Sequence, residues 1–368
     1  MSRIYSIQAL RAIAAALVTF YHVHGLTVLG SGQYTVADSF ILNFWFLEKF
    51  GGFGVDLFFV ISGFVMTYIT WECSRGAGSI LPFLRDRITR IAPIYWIYTF
   101  VLYAYIKRFG VTIPIDELLY SLSFIPYKSQ LDMSAPIIAA GWTLSYEMYF
   151  YILVSVGMLF ARRTFIVGVG VFFLISLMMP SFWTPPSLIF GWVTSTIILE
   201  FYFGMLIAVA YLRYPAVLKK LGWYSLVLSV AILVLWAHHD ISLDLRGFVW
   251  GIPAAGIVLW FLSYESSTGF LARKFWQSLG ASSYSLYLTH MFLFPFFAYF
   301  PFIKWRIIDK IPMDLFVLCV GVMCIIAGHI LHLLIERPVV SFFKLVLNGS
   351  QKQASRLITV TLKKLSPI

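Results

Sequence analysis

The sequence predicts an all-α membrane protein, a bundle of about ten transmembrane helices with both termini in the cytoplasm. Three observations carry this. First, of 368 residues 60% are hydrophobic, 18% aromatic and only 12% charged, and the mean hydropathy is +0.86. A soluble domain carries about 25% charged residues and cannot hide this much apolar surface, so the bilayer is the solvent. Second, ten stretches approach the ~20 mostly apolar residues that a spanning helix needs. They are residues 5–28, 54–73, 88–106, 142–160, 164–180, 188–212, 222–238, 248–264, 280–303 and 314–335. Third, with the N-terminus inside, 18 of the 27 Lys and Arg fall on inner segments and 8 on outer ones, Arg11 lying within a span. That is the positive-inside bias, and dropping one helix would invert every later loop and spoil it. The net charge of +11 therefore reports topology rather than a nucleic-acid partner.

Charged side chains inside spans cost several kcal/mol unless paired or solvated, so each is a functional candidate. In the first span, "RAIAAALVTFYH", Arg11 and His22 are eleven positions apart, about three turns plus 20° with roughly 16 Å of rise, so they share a face. Arg11 either snorkels to the inner interface or points into the bundle, and His22 is either a bonded core histidine or a reactive one. His24 points away from that face and reads as interfacial. The span is interrupted by polar residues and has no clean cleavage site, so it reads as a retained helix rather than a signal peptide.

The second span opens "GVDLFFVISGF", burying Asp56 near its outer end and offering a small surface at Ser62 and Gly63. In "RDRITRIAP", Arg87 and Arg90 share one face of the third helix on the cytoplasmic side, as a phosphate clamp or a positive-inside cluster. The outer loop 107–141 is long enough for a lid. The fourth span, "GWTLSYEMYFY", places Glu147 at a depth comparable to His22. The fifth and seventh spans are the shortest, and Glu200 in the sixth has no assigned role. The ninth, "SSYSLYLTH", brings His290 to mid-span. The tenth ends at "IERP", where Glu336 and Arg337 neutralise each other before a proline that cannot continue the helix. Residues 1–338 thus read as the membrane domain. Residues 339–368 form a basic cytoplasmic tail suited to an anionic leaflet or to partial disorder. Cys73, Cys319 and Cys324 read as core residues, and no Cys/His cluster has metal-ligand spacing, so no metal is expected.

Taken together, the six motifs in this order resemble acyltransferase family 3, integral membrane enzymes that acylate bacterial polysaccharides, lipopolysaccharide and other sugars. The resemblance implies an enzyme of the bacterial inner membrane that moves an acyl group, most often acetyl, from cytoplasmic acyl-CoA to a hydroxyl of a polysaccharide or lipid-linked sugar. It implies His22 as the catalytic histidine, Arg11 as its motif partner, and Arg87 and Arg90 as the phosphate-binding pair. On this reading the acetyl-CoA head sits at the cytoplasmic face, its arm runs up beside Arg11, and the thioester lies near His22. Glu147 or Asp56 would orient the imidazole, and Ser62 and His290 join the donor-binding set. Alternatives are a small-molecule acceptor or, from another class, a transporter or flippase, which would also carry buried charges.

Overall fold

The computed structural model describes residues 4–31, 51–73, 76–128, 136–183, 185, 187–236, 245–265, 269–298 and 311–347. Of the sequence expectations, the tail beyond 347, the middle of the outer loop and the ends of the seventh and ninth spans lie outside these residues.

The described chain is helical: α1 (Tyr5–Ser31), α2 (Phe53–Trp71), α3 (Ile80–Arg108), α4 (Ile115–Leu122), α5 (Trp142–Gly157), α6 (Arg162–Met178) and α7 (Leu188–Val193). There follow α8 (Ile198–Arg213), α9 (Pro215–Trp236), α10 (Arg246–Val249), α11 (Gly251–Ser263), α12 (Lys274–Ala298) and α13 (Met313–Leu331). Seven described segments are long and apolar enough to cross a membrane: α1, α2, α6, α7–α8, α9, α10–α11 and α13 with its continuation to Leu347. The long helices α3, α5 and α12 fall below that standard by length or polarity. These are the three that, with α1 and α2, wall the central cavity described below.

Contacts set the helix directions. α1 and α12 run parallel, Arg11 meeting Ser283 and His22 meeting His290. α3 runs with them, Ile91 meeting Tyr284 and Tyr98 meeting Phe292. α2 is parallel to α8 and α5, since Phe59 meets Phe201 and Tyr146 while Phe64 meets Tyr211 and Ser62 meets Glu147. This is the alternation that spans in chain order require.

Three apolar clusters hold the bundle. One joins α2, α3, α5 and α8, the second α1, α2, α9 and α11, and the third α1, α12 and α13. Phe58 borders all three. Lipid tails are as apolar as the side chains, so close backbone approach rather than hydrophobic exclusion secures helix pairs. It is tightest between α2 and α8, where a Cβ on Gly204 would lie 2.0 Å from the Val60 carbonyl oxygen and one on Gly63 2.0 Å from that of Phe201. Gly204→Val therefore has to push two helices apart, at or above the upper end of the ~1–3 kcal/mol of overpacking. A lowered melting temperature of the detergent-solubilised protein checks this, and an unchanged one refutes the contact.

Three expectations are corrected. Pro338 does not end the last helix, which continues to Leu347. Just before it, His332–Glu336 forms a π turn, and a widened turn relieves both the missing N–H and the clash of the proline ring with a preceding carbonyl. His24 is buried rather than interfacial. Of the cysteines, Cys324 is buried but Cys73 is exposed at the end of α2.

Candidate active site

A cavity of about 110 Å³ lies at the junction of α1, α2, α3, α5 and α12. Arg11, Arg90, Glu147 and Ser283 give it a polar part, and Val55, Phe58, Phe59 and Leu144 an apolar part. The closest approach of α1 and α2 is at Gly54, where a Cβ would lie 2.3 Å from the Ala14 carbonyl oxygen.

Arg11 donates from Nη2 to Ser283 Oγ at 3.0 Å, and lies within electrostatic reach of Arg90, Glu336 and Glu147. Arg87 lies one turn before Arg90, its guanidinium 6.0 Å from the Phe83 ring and its buried Nε without a hydrogen-bond partner. Among the described residues none of Arg11, Arg87 and Arg90 forms an ion pair. The nearby carboxylates are already engaged. Glu147 Oε1 accepts from the Tyr151 hydroxyl and from Ser62 Oγ at 3.3 Å. Glu336 Oε2 accepts from Ser285 Oγ at 2.6 Å and lies 2.8 Å from His332 Nδ1. Glu336 is thus buried in the bundle instead of neutralising Arg337, which is exposed. Arg11 and Arg90 thus line the cavity, neither in an ion pair among the described residues, and Arg87 lies one turn before Arg90 on α3.

On the cavity wall, Tyr287 links to the histidines. Its hydroxyl is 2.9 Å from Thr143 Oγ1, its ring meets Phe58 edge-on at 5.7 Å, and its ring centroid lies 5.9 Å from that of His290. His290, fully buried, places Nε2 3.1 Å from His22 Nδ1. His22 is half-buried, and its Nδ1 also lies 2.9 Å from the Val18 carbonyl oxygen.

The structure therefore brings together Arg11, Arg90, Ser62 and Glu147 around one cavity, with Arg87 one turn before Arg90 and outside the lining, and the His22–His290 pair next to Tyr287 on the cavity wall. Among the described residues it does not bring a carboxylate to His22. Asp56 gives both oxygens to Arg246, each at 2.9 Å, and that guanidinium lies over Trp250 at 4.7 Å. The expected orienting role of Asp56 or Glu147 is corrected on this ground: both carboxylates are committed elsewhere, and the side chain beside His22 Nδ1 is the imidazole of His290. Nor does His290 line the cavity. Glu200 lies beside the Asp56–Arg246 pair, completely buried, its oxygens without a hydrogen-bond partner. Sequence reasoning missed Arg246, counted as an outer-loop charge, although a buried Asp56 demanded some cation. It also missed the Ser283–His290 spacing, seven residues or two helical turns on one face, which mirrors Arg11–His22.

Residues 4–343 match the acyltransferase domain of family 3. The chain is 31% identical over 252 residues to the exopolysaccharide production protein ExoZ of Rhizobium meliloti (strain 1021), covering 66% of this chain and 76% of that one. No solved structure matches. The chain belongs to acyltransferase family 3 and is a multi-pass membrane acyltransferase.

Proposed function

We propose that the protein transfers an acetyl or related short acyl group from acyl-CoA to a hydroxyl of a bacterial polysaccharide or its lipid-linked sugar precursor, in the inner membrane. The donor reading rests on Arg11 and Arg90, guanidiniums without ion pairs on the cavity wall, with Arg87 one turn before Arg90 and with Tyr287 linking that wall to the His22–His290 pair. Coenzyme A has matching chemistry, an anionic head on a long narrow arm. Arg87 and Arg90 take the phosphates by bidentate contacts, and the arm occupies the cavity past Arg11. The acceptor reading rests on the relative's printed role in exopolysaccharide production.

His22 then takes the proton of the attacking hydroxyl as its oxygen bonds to the thioester carbon. As the carbon–sulfur bond breaks, the leaving thiolate recovers that proton. Glu147, held by Tyr151 and Ser62, offsets the arginine charge when no donor is bound.

Two experiments test the reading. With purified protein and labelled acetyl-CoA, changing Arg87 and Arg90 together to alanine removes two charge-assisted contacts and raises the donor KM about 100-fold or more. An unchanged KM refutes the phosphate assignment. Comparing glycan O-acetylation by NMR between a deletion strain and its parent identifies the acceptor, and identical glycans refute the polysaccharide assignment.

A further inference from the structure

We propose that His290 is the positioning residue of the reaction, a neutral imidazole that sets the tautomer of His22 and leaves its Nε2 as the proton acceptor. This rests on the acyl-transfer reading above and goes beyond it. The geometry determines the protons. Val18 and Leu286 present carbonyl oxygens, which only accept, to His22 Nδ1 at 2.9 Å and to His290 Nδ1 at 3.2 Å. Both Nδ1 atoms therefore carry hydrogen. His290 Nε2, 3.1 Å from His22 Nδ1, then holds a lone pair and accepts from that N–H, which it shares with the Val18 carbonyl. With the other tautomer of His290 two N–H groups would face each other.

The remaining nitrogen, His22 Nε2, has its lone pair free of any hydrogen bond among the described residues. It takes the hydroxyl proton while the hydroxyl oxygen bonds to the acyl carbon, and returns that proton to the sulfur whose bond to carbon breaks. Through this cycle the Nδ1 hydrogen of His22 stays on His22, and its bond to His290 strengthens while the ring is an imidazolium. A carboxylate would bind that hydrogen more strongly, but here it would be a buried ion whose desolvation few groups offset. Imidazole supplies the acceptor at the smaller cost of burying a neutral polar group. Tilted ring packing, with centroids 4.9 Å apart, and the complete burial of His290 restrict both rotamers. One helix, α12, thus holds both ends of the α1 motif, Arg11 through Ser283 and His22 through His290.

The test is steady-state transfer of labelled acetyl from acetyl-CoA by the full-length protein, comparing His290→Ala, His290→Gln and His22→Ala with wild type. His290→Ala lowers kcat about 10- to 100-fold, as loss of an orienting partner does elsewhere, with the donor KM within about twofold. His290→Gln, whose side-chain oxygen can accept where Nε2 did, recovers most of that loss. If His290→Ala keeps kcat, or raises the donor KM instead, or if His290→Gln is no better than alanine, the assignment is overturned. Should the alanine variant not yield folded protein, the glutamine variant decides alone, near-wild-type kcat supporting the proposal and a loss as large as 100-fold overturning it. Full activity in His22→Ala overturns the underlying reading instead, so the two failures are distinguishable.

Discussion

Replacing His22 with alanine lowers acyl transfer by about 10² to 10⁴, the range that a general base contributes, while the fold and donor binding survive. The side chain is half-buried and its ring bonds are to one carbonyl and one histidine, so the truncation leaves no charge stranded in the bundle. His290 keeps its own bond to Leu286. The arginines proposed to hold the donor lie about three turns away along α1 or on α3, so the proposed acetyl-CoA donor still binds with its KM little changed. What is lost is the acceptor of the hydroxyl proton, which appears in kcat. Single-turnover transfer with preloaded donor measures this step directly. A wild-type rate in His22→Ala sinks the base assignment, and a collapse of donor binding with kcat intact moves His22 from chemistry to binding.

The helices themselves were readable because lipid demands long apolar runs. The buried polar residues stood out one by one for the same reason, since Arg11, Asp56, Glu147 and His290 are each anomalous in hydrocarbon. Their pairing was not. Asp56 and Arg246 are 190 positions apart, and a lone sequence gives depth only roughly. That uncertainty made Glu147 look like a neighbour of His22, when its hydroxyl partners, Ser62 and Tyr151, hold it beside the cavity instead. Pro338 misled for a different reason. Helix-breaking rules assume α geometry, and a π turn immediately upstream removes the conflict that the rule describes.

Asp56→Ala destabilises the protein by about 3–5 kcal/mol, the cost of breaking a buried ion pair from one side. The carboxylate is completely buried, bonded twice to Arg246, and its loss leaves a guanidinium with little solvent access between Trp142 and Trp250. Glu200 makes the site more forgiving than a simple pair. Its oxygens have no hydrogen-bond partner and it lies within electrostatic reach of Arg246, so a small rotation lets it take over part of the pairing. Glu200→Gln alone is then nearly neutral, but combined with Asp56→Ala it costs more than the sum of the two, a coupling that a double-mutant cycle on unfolding in detergent reads directly. Replacing the pair by apolar residues of similar volume, Asp56→Leu with Arg246→Met, restores most of the stability, because the cost came from an unpaired charge and not from a lost attraction. Acetyl transfer by the same proteins separates structure from chemistry. If Asp56→Ala keeps its unfolding midpoint and loses kcat, Asp56 serves the reaction directly, as its place in the sequence motif suggested. If the paired apolar variant transfers acetyl normally, its carboxylate serves only to anchor α10 against α2.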